Sequence, residues 1–250
     1  MAAKNASSKA PTRVFSAPVL LLIAGHLALC VFLSHSLSIY IDEAYTLDTT
    51  SRGPGYAYSQ ALGFELQPPL YFVSLSLWRG IDDSLFVARL FSTVCTAASL
   101  FVLALVARRF LPKLHPAWLI GAAAFNPILL YAATEARCYA LAMLIASLLL
   151  LFFHDAFLAE KTRRRWLALV GFTLSAIASL HTFYFLGFQL VGLAAGLLAV
   201  KRWRELRSYI LTMVVVGAAF VPQAIEVSRQ VTDHTEAVSQ PTVIESLRLV

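Results

Sequence analysis

The chain has 250 residues, of which 59% are hydrophobic and only 14% are charged, and its mean hydropathy is +0.72. A soluble domain needs a polar surface that this composition cannot supply, so the sequence predicts an all-α, multi-pass membrane protein. The net charge is +6, but the basic residues form short clusters between apolar runs, which argues against a nucleic-acid-binding surface. The three cysteines show neither metal-ligand spacing nor an even-numbered disulfide set.

Seven apolar runs could each form a membrane-crossing helix, which takes about 20 apolar residues. They cover residues 16–35, 85–107, 116–133, 138–158, 166–182, 183–200 and 208–223. The division between the fifth and sixth runs depends only on "HTF" at 181–183 and on the parity of the flanking charges. We therefore expect about seven transmembrane helices within residues 16–223.

The basic clusters predict the orientation of these helices. Fourteen of the 20 Lys and Arg residues fall in 4–13, 108–113, 161–165 and 201–207, which share one side of the membrane if seven spans alternate. Because the side rich in Lys and Arg is normally cytoplasmic, residues 1–15 are predicted to be a cytoplasmic tail. The loop at 36–84 and the tail at 224–250 are then external.

The first external loop, residues 36–84, is too long for a tight turn and too apolar for a solvated loop. The "RGPGY" at 52–56 interrupts it, and the double proline after Gln67 predicts a bend there. The apolar stretch that follows, residues 70–78, would be about 14 Å long as a helix and cannot cross a bilayer. Its Tyr and Trp residues suit the membrane interface, so we expect two short helices lying flat on the membrane.

Several ionisable or polar side chains fall near the external ends of the predicted spans. They are Asp42, Glu43, Glu65, Gln67, Arg89, Glu135, Arg137 and His181. Ionisable groups at membrane depth are costly and usually face a cavity or a partner, so the sequence predicts one external pocket that these residues surround. The alternative for the acidic pair at 42–43 is that it only ends the first span and hydrates the interface.

Four segments, taken in order, resemble the GT-C superfamily of membrane glycosyltransferases. They are "DEAYT" at 42–46, "ELQPPLYFVSLSLW" at 65–78, "ARLFST" at 88–93 and "FNPILLYAATEARCYALAMLIASL" at 125–148. The chain is most similar to the bacterial branch related to protein O-mannosyltransferases and lipid A sugar transferases. The resemblance extends from about residue 36 to about residue 200, and the acidic pair together with "PPLYF" carries most of its specificity.

The resemblance implies transfer of a sugar from a polyprenyl-phosphate-linked donor to a glycan, lipid or protein acceptor at the external membrane face. It also implies a bacterial inner membrane with the active face in the periplasm, although an endoplasmic reticulum membrane fits the same topology. The sequence contains no nucleotide-binding motif, which agrees with a lipid-linked donor.

The family pattern implies roles for the acidic residues. Asp42 matches the family's first-loop acid and would act as the general base, while Glu43 would orient that base or contact the sugar. Glu65 would bind sugar hydroxyls. If the enzyme depends on a metal, Asp42 and Glu65 would hold a divalent cation such as Mg²⁺ or Mn²⁺.

The remaining residues would bind the donor. Arg137 is the first candidate for the lipid phosphate and Arg89 the second, because a guanidinium stays charged and grips phosphate in a fork. Gln67 stands where relatives often carry His or Lys, and it brings no charge to that position. Glu135 and His181 complete the predicted substrate-binding set.

Two other functions remain open from the sequence. A transporter or flippase of a lipid-linked substrate would normally show paired repeats and charges near the membrane midplane, whereas no repeat is visible and the acids cluster at one face. An inactive membrane fragment is the other alternative. Relatives usually continue with further spans and often an external domain, so residues 224–250 are predicted to begin such a region.

Overall fold

The computed structural model describes residues 14–160 and 164–237, with side chains through residue 229, and these parts contain helices but no strand. The helices are α1 (Ala17–Ser36), α2 (Ile41–Thr49), α3 (Pro54–Gly63), α4 (Leu70–Trp78), α5 (Leu85–Phe110), α6 (Pro116–Ala124), α7 (Pro127–Thr134), α8 (Tyr139–Phe153), α9 (Arg165–Thr182), α10 (Leu186–Ala199) and α11 (Trp203–Ala237). A π-helical turn at His154–Leu158 continues α8. The predicted all-α class is confirmed.

Several of these helices are long and apolar enough to cross a membrane, as expected for a multi-pass membrane protein. Among the described residues there are four, namely α1, α5, α8 with its π-helical turn, and Trp203–Arg229 within α11. A fifth candidate forms if α6 and α7 are counted as one span bent by 63°. The described residues thus contain four or five candidate spans, where seven were predicted. The 14 residues of α10 span about 21 Å, less than the ~30 Å of a bilayer core, and α9 is not among the candidates.

The bend between α6 and α7 follows from the sequence Phe125-Asn126-Pro127. The side chain of Asn126 caps α7 by accepting a hydrogen bond of 2.9 Å from the N–H of Ile128. Pro127 occupies the first position of α7 and has no N–H to continue the hydrogen bonds of α6. The predicted span at 116–133 is therefore two helices.

The basic clusters that the structure describes meet at one end of the bundle. At the C-terminal end of α5, Nε of Arg109 lies 2.8 Å from Oδ1 of Asp155 in the π-helical turn. Arg165 and Arg202 donate hydrogen bonds to the carbonyls of Ala156 and Phe157 in the same turn. Cations at the C-terminus of a helix also interact favourably with its dipole. The N-terminal end of α5, at the opposite end of the bundle, lies beside residues 36–84.

The 36–84 loop folds into three short helices, where two were predicted. The additional helix, α2, has only nine residues and no continuous apolar run, which is why the sequence pattern did not show it. It begins where the Glu43 side chain accepts a hydrogen bond of 3.0 Å from the N–H of Tyr40, as in a capping box. Between α3 and α4 the backbone at Leu66 has a φ of +52°, a left-handed conformation that is uncommon for a leucine.

The largest part of the core lies between α8, α9 and α11, where the buried rings of Phe153, Phe157, Phe172 and Tyr209 contact one another. Helix α11 does not end at the predicted boundary of 223 but continues to Ala237, so the predicted external tail at 224–250 begins as helix. Residues 1–13 of the predicted N-terminal tail and residues 238–250 lie outside the described residues.

Candidate functional site

One face of α2 supplies three side chains to a common site. Asp42, Thr46 and Thr49 are spaced by four and three residues, which places them on the same side of a helix. This face meets Arg137, which lies in the link 135–138 between α7 and α8, and Glu65, which follows α3. We call these five residues the Arg137 site.

The guanidinium of Arg137 is enclosed but only partly used. Its Nη1 donates to Oγ1 of Thr46 at 3.2 Å and to the backbone carbonyl of Asp42 at 3.3 Å. Its distances to the carboxylates are longer, 3.6 Å from Nη1 to Oε2 of Glu65 and 3.8 Å from Nη2 to Oδ2 of Asp42. Contacts of that length are not hydrogen bonds. Nε is buried without a partner among the described residues, so donors remain for a further acceptor.

The two carboxylates of the Arg137 site differ in exposure. The Asp42 side chain is 49% exposed, whereas that of Glu65 is 7% exposed and accepts a hydrogen bond of 3.0 Å from Oγ1 of Thr49. Burial raises the pKa of the Glu65 carboxyl, and the hydrogen bond from Thr49 with the charge of Arg137 offsets this only in part. The site therefore pairs an accessible carboxylate with a more readily protonated one.

Glu43 and Arg89 form a buried ion pair beside this site. The Glu43 side chain is fully buried, and it accepts from Nε of Arg89 at 2.8 Å and from Nη2 at 2.6 Å. The other guanidinium donors of Arg89 bind the backbone carbonyls at the end of α1 and just beyond it, those of Ser34, Leu37 and Ser38. A guanidinium has five N–H donors, and all five are occupied. Direct contact of either residue with a substrate would require this pair to separate.

Glu43 also binds two backbone N–H groups. Its Oε1 accepts from the N–H of Ala136 at 3.0 Å, and its Oε2 accepts from the N–H of Tyr40. Burial alone raises the pKa of the Glu43 carboxyl, but the hydrogen bonds from Arg89 and from these N–H groups outweigh burial and hold the pKa below its usual value. Glu43 is therefore the ionised partner of the pair.

The other predicted residues lie around the Arg137 site without hydrogen-bonding to it. Glu135 is half-buried, and burial raises its pKa, with the hydroxyl of Tyr131 acting in the opposite direction. Oε1 of Gln67 faces Sγ of Cys138 at 3.8 Å. His181 is further away on α9, where its Nδ1 binds the carbonyl of Ile177 in its own helix.

An apolar groove begins close to Gln67. It has a volume of about 410 Å³ and lies between α3 and α4 on one side and α9 on the other. Its walls include Leu70 and Leu174. Two of its lining residues have titratable side chains, namely Tyr58 and His181. Pro69, two residues after Gln67, lies at its edge, so the groove leads towards the loop that carries Glu65.

Sequence reasoning missed three side chains of this region. Thr46 and Thr49 bind Arg137 and Glu65, and their i, i+4 and i, i+7 spacing from Asp42 was a signal that could have found them. Tyr71 on α4 is completely buried, and its hydroxyl has no partner within the described part of the chain. The "PPLYF" motif drew attention to this segment, but nothing in it distinguished the tyrosine.

Comparison of the chain with protein-family models, with curated proteins and with solved structures finds no match. The resemblance to GT-C glycosyltransferases therefore stays a prediction from the four quoted segments.

The described residues contain no group of three or more His, Cys, Asp or Glu side chains that could together hold a metal ion. Asp42 and Glu65 both face the cationic Arg137, whose single positive charge offsets part of their combined negative charge. A divalent cation at these two carboxylates stays a prediction. What the arrangement offers by itself is an accessible base next to an enclosed cation with unused donors.

Proposed function

We propose that the chain transfers a sugar from a polyprenyl-phosphate-linked donor to a hydroxyl of an acceptor at the external membrane face. The observation that carries this proposal is the contrast between two arginines. Arg89 has no N–H left, whereas within the described part of the chain Nε of Arg137 is buried without a partner and its Nη2 lies 3.8 Å from Oδ2 of Asp42, beyond hydrogen-bond length. Arg137 is therefore the cation that can receive phosphate oxygens in a forked arrangement.

Asp42 serves as the general base in the proposed reaction. The acceptor hydroxyl gives its proton to the Asp42 carboxylate as its oxygen attacks the anomeric carbon of the donor sugar. The bond from the anomeric carbon to the phosphate oxygen breaks, and the lipid phosphate leaves as an anion held by Arg137. The half-exposed position of Asp42 supports this role because an acceptor can reach its carboxylate.

Glu65 and Glu43 have different proposed tasks. Glu65 contacts sugar hydroxyls, and its raised pKa lets it donate as well as accept a hydrogen bond. Glu43 and Arg89 do not touch the substrate in this proposal. The predicted contacts of Glu135, Gln67 and His181 with substrate stay proposals, with Gln67 and His181 near the lipid end and Glu135 near the acceptor.

The apolar groove supports a lipid-linked donor. A phosphate bound to Arg137 would lie at the end of the molecule where residues 36–84 fold. The groove is lined in part by α3 and α4 of the same segment, and its volume of about 410 Å³ could hold the first part of a hydrocarbon chain. The proposed orientation places the basic end in the cytoplasm and residues 36–84 in the periplasm of a bacterial inner membrane. This proposal counts α9 and α10 as further spans, giving seven, and the bilayer would have to thin locally around the short α10.

The test measures release of radiolabelled sugar from polyprenyl-phosphate hexose and pentose donors in membranes that contain the chain, its Asp42→Asn variant or its Asp48→Asn variant. Asp48 is an exposed carboxylate on the same helix, so it controls for loss of charge on α2. We expect turnover in the original chain and the Asp48 variant, and at least a ~100-fold loss in the Asp42 variant, as for removal of a general base. Equal turnover in all three, or none in any, would reject the proposal. Donor that crosses the bilayer without being cleaved would favour the transporter.

A further inference from the structure

We propose that Glu43 and Arg89 act as a clamp that fixes the position of Arg137 from its backbone. The clamp acts through Ala136, whose N–H binds Oε1 of Glu43 at 3.0 Å and whose carbonyl carbon begins the peptide of Arg137. The same oxygen accepts the 2.8 Å bond from Nε of Arg89. Both groups are completely or almost completely buried, so the clamp is shielded from water.

The pair connects four segments that are distant in sequence. Arg89 belongs to α5, and its guanidinium binds the carbonyls of Ser34, Leu37 and Ser38 at the end of α1. Glu43 belongs to the first turn of α2 and binds the link 135–138. Since Asp42 is the neighbour of Glu43 and Arg137 is the neighbour of Ala136, one ion pair sets the distance between the base and the cation of the Arg137 site.

The side-chain contacts of the link are longer than this backbone contact. The guanidinium of Arg137 lies 3.2 to 3.8 Å from four oxygen atoms, which belong to Thr46, Glu65 and Asp42. Sγ of Cys138 lies 3.8 Å from Oε1 of Gln67. Contacts of this length restrain a side chain weakly. The bond from Ala136 to a buried, ionised carboxylate is a short, charge-assisted contact that ties the link to α2, and such bonds are about twice as strong as neutral ones.

Cys138 reports on the link without any assumption about catalysis. Its thiol is buried, and burial raises its pKa to about 11, so it should react slowly with maleimides as long as the link stays in place. The chain has three cysteines, and replacing Cys30 and Cys95 by alanine leaves Cys138 as the single thiol. The rate of its labelling by N-ethylmaleimide then measures opening of the link.

The test variant in this background is Glu43→Leu/Arg89→Met, which removes the clamp without leaving a buried charge. Apolar replacement leaves no unpaired buried charge, but it removes the partners of two backbone N–H groups and three carbonyls, so the thermal midpoint should fall less than in Arg89→Met alone. The matched control is Arg109→Met/Asp155→Leu, which removes an ion pair at the opposite end of α5. We expect labelling of Cys138 to rise at least about tenfold in the clamp variant and to stay unchanged in the control.

Unchanged labelling in the clamp variant, or an equal rise in both variants, would overturn the proposal. If the double substitution prevents folding, Arg89→Lys keeps the charge with fewer donors and should raise labelling by a smaller factor, and no rise would again overturn it. The effect of the clamp on sugar transfer rests on the proposed function. A tenfold rise in labelling without sugar release by any variant would uphold the clamp and reject the transferase.

Discussion

Replacing Arg89 by methionine should destabilise the folded chain far more than replacing Arg109, although both arginines lie on α5 and both pair with a carboxylate. The Arg89 side chain is 2% exposed and that of Arg109 is 40% exposed. Loss of Arg89 leaves the Glu43 carboxylate buried with only two backbone N–H partners, and breaking a buried pair in this way costs about 3–5 kcal/mol. The Arg109–Asp155 pair, with side chains 40% and 21% exposed, is partly screened by water and is worth about 1 kcal/mol or less.

For a chain of this length, about 1 kcal/mol corresponds to ~2–4 °C in the thermal midpoint. We therefore expect Arg89→Met to lower the midpoint by about 6–20 °C and Arg109→Met by no more than about 4 °C, measured on detergent-purified protein. Adding Glu43→Leu to Arg89→Met should recover most of the loss, because it removes the unpaired charge. Equal midpoints for the two single variants, or a double variant less stable than Arg89→Met, would refute this account of the pair.

Three other outcomes are expected. Gly171→Ala should lower stability by about 1–3 kcal/mol, because the new Cβ would lie 2.8 Å from the ring of Phe152. The control is Gly192→Ala on α10, whose Cβ would meet nothing within 4 Å, so this change should be neutral or stabilising. Thermal melts of the two variants test the difference. Acidification should destabilise the chain through Glu43. Because folding lowers the pKa of this carboxyl, its contribution to stability is fully present above the ordinary pKa of 4.5 and is lost as the pH falls through the pKa of the folded state. A Glu43→Gln variant should lose less stability as the pH is lowered from about 5 to about 3, and an equal loss would contradict the assignment. If the carboxylates of the Arg137 site hold a divalent cation, sugar release should disappear in EDTA and return with Mg²⁺ or Mn²⁺; release that persists in EDTA would rule that cation out.

The long apolar segments could be predicted from the sequence because their signal is local. The runs at 16–35 and 85–107 became α1 and α5 with small shifts of their ends. The run at 116–133 was broken by Asn126, a helix N-cap that is also visible in the sequence but was read as part of an apolar stretch. Helix α9 matches the run at 166–182, but α10 is four residues shorter than the run at 183–200, so apolar character alone does not fix how far a helix extends.

The candidate site could be predicted only in outline. Asp42, Glu65 and Arg137 were expected around one pocket, and the structure brings them together. No local pattern indicates that Glu43 and Arg89 bind each other, because pairing between residues 46 positions apart depends on the packing of α2 against α5. The sequence also could not show the N–H of Ala136 as a partner, since every backbone offers the same group.

The order in which the chain is synthesised gives the clamp a role during membrane insertion. Residues 34 to 43 and Arg89 emerge from the ribosome well before Ala136, and N-terminal parts of a chain generally fold first. Once α5 has inserted, Glu43 and Arg89 can join α1, α2 and α5 while the second acceptor site on Oε1 is still open. The link 135–138, which is synthesised later, would then dock onto a preformed pair, so the position of Asp42 would be fixed before that of Arg137.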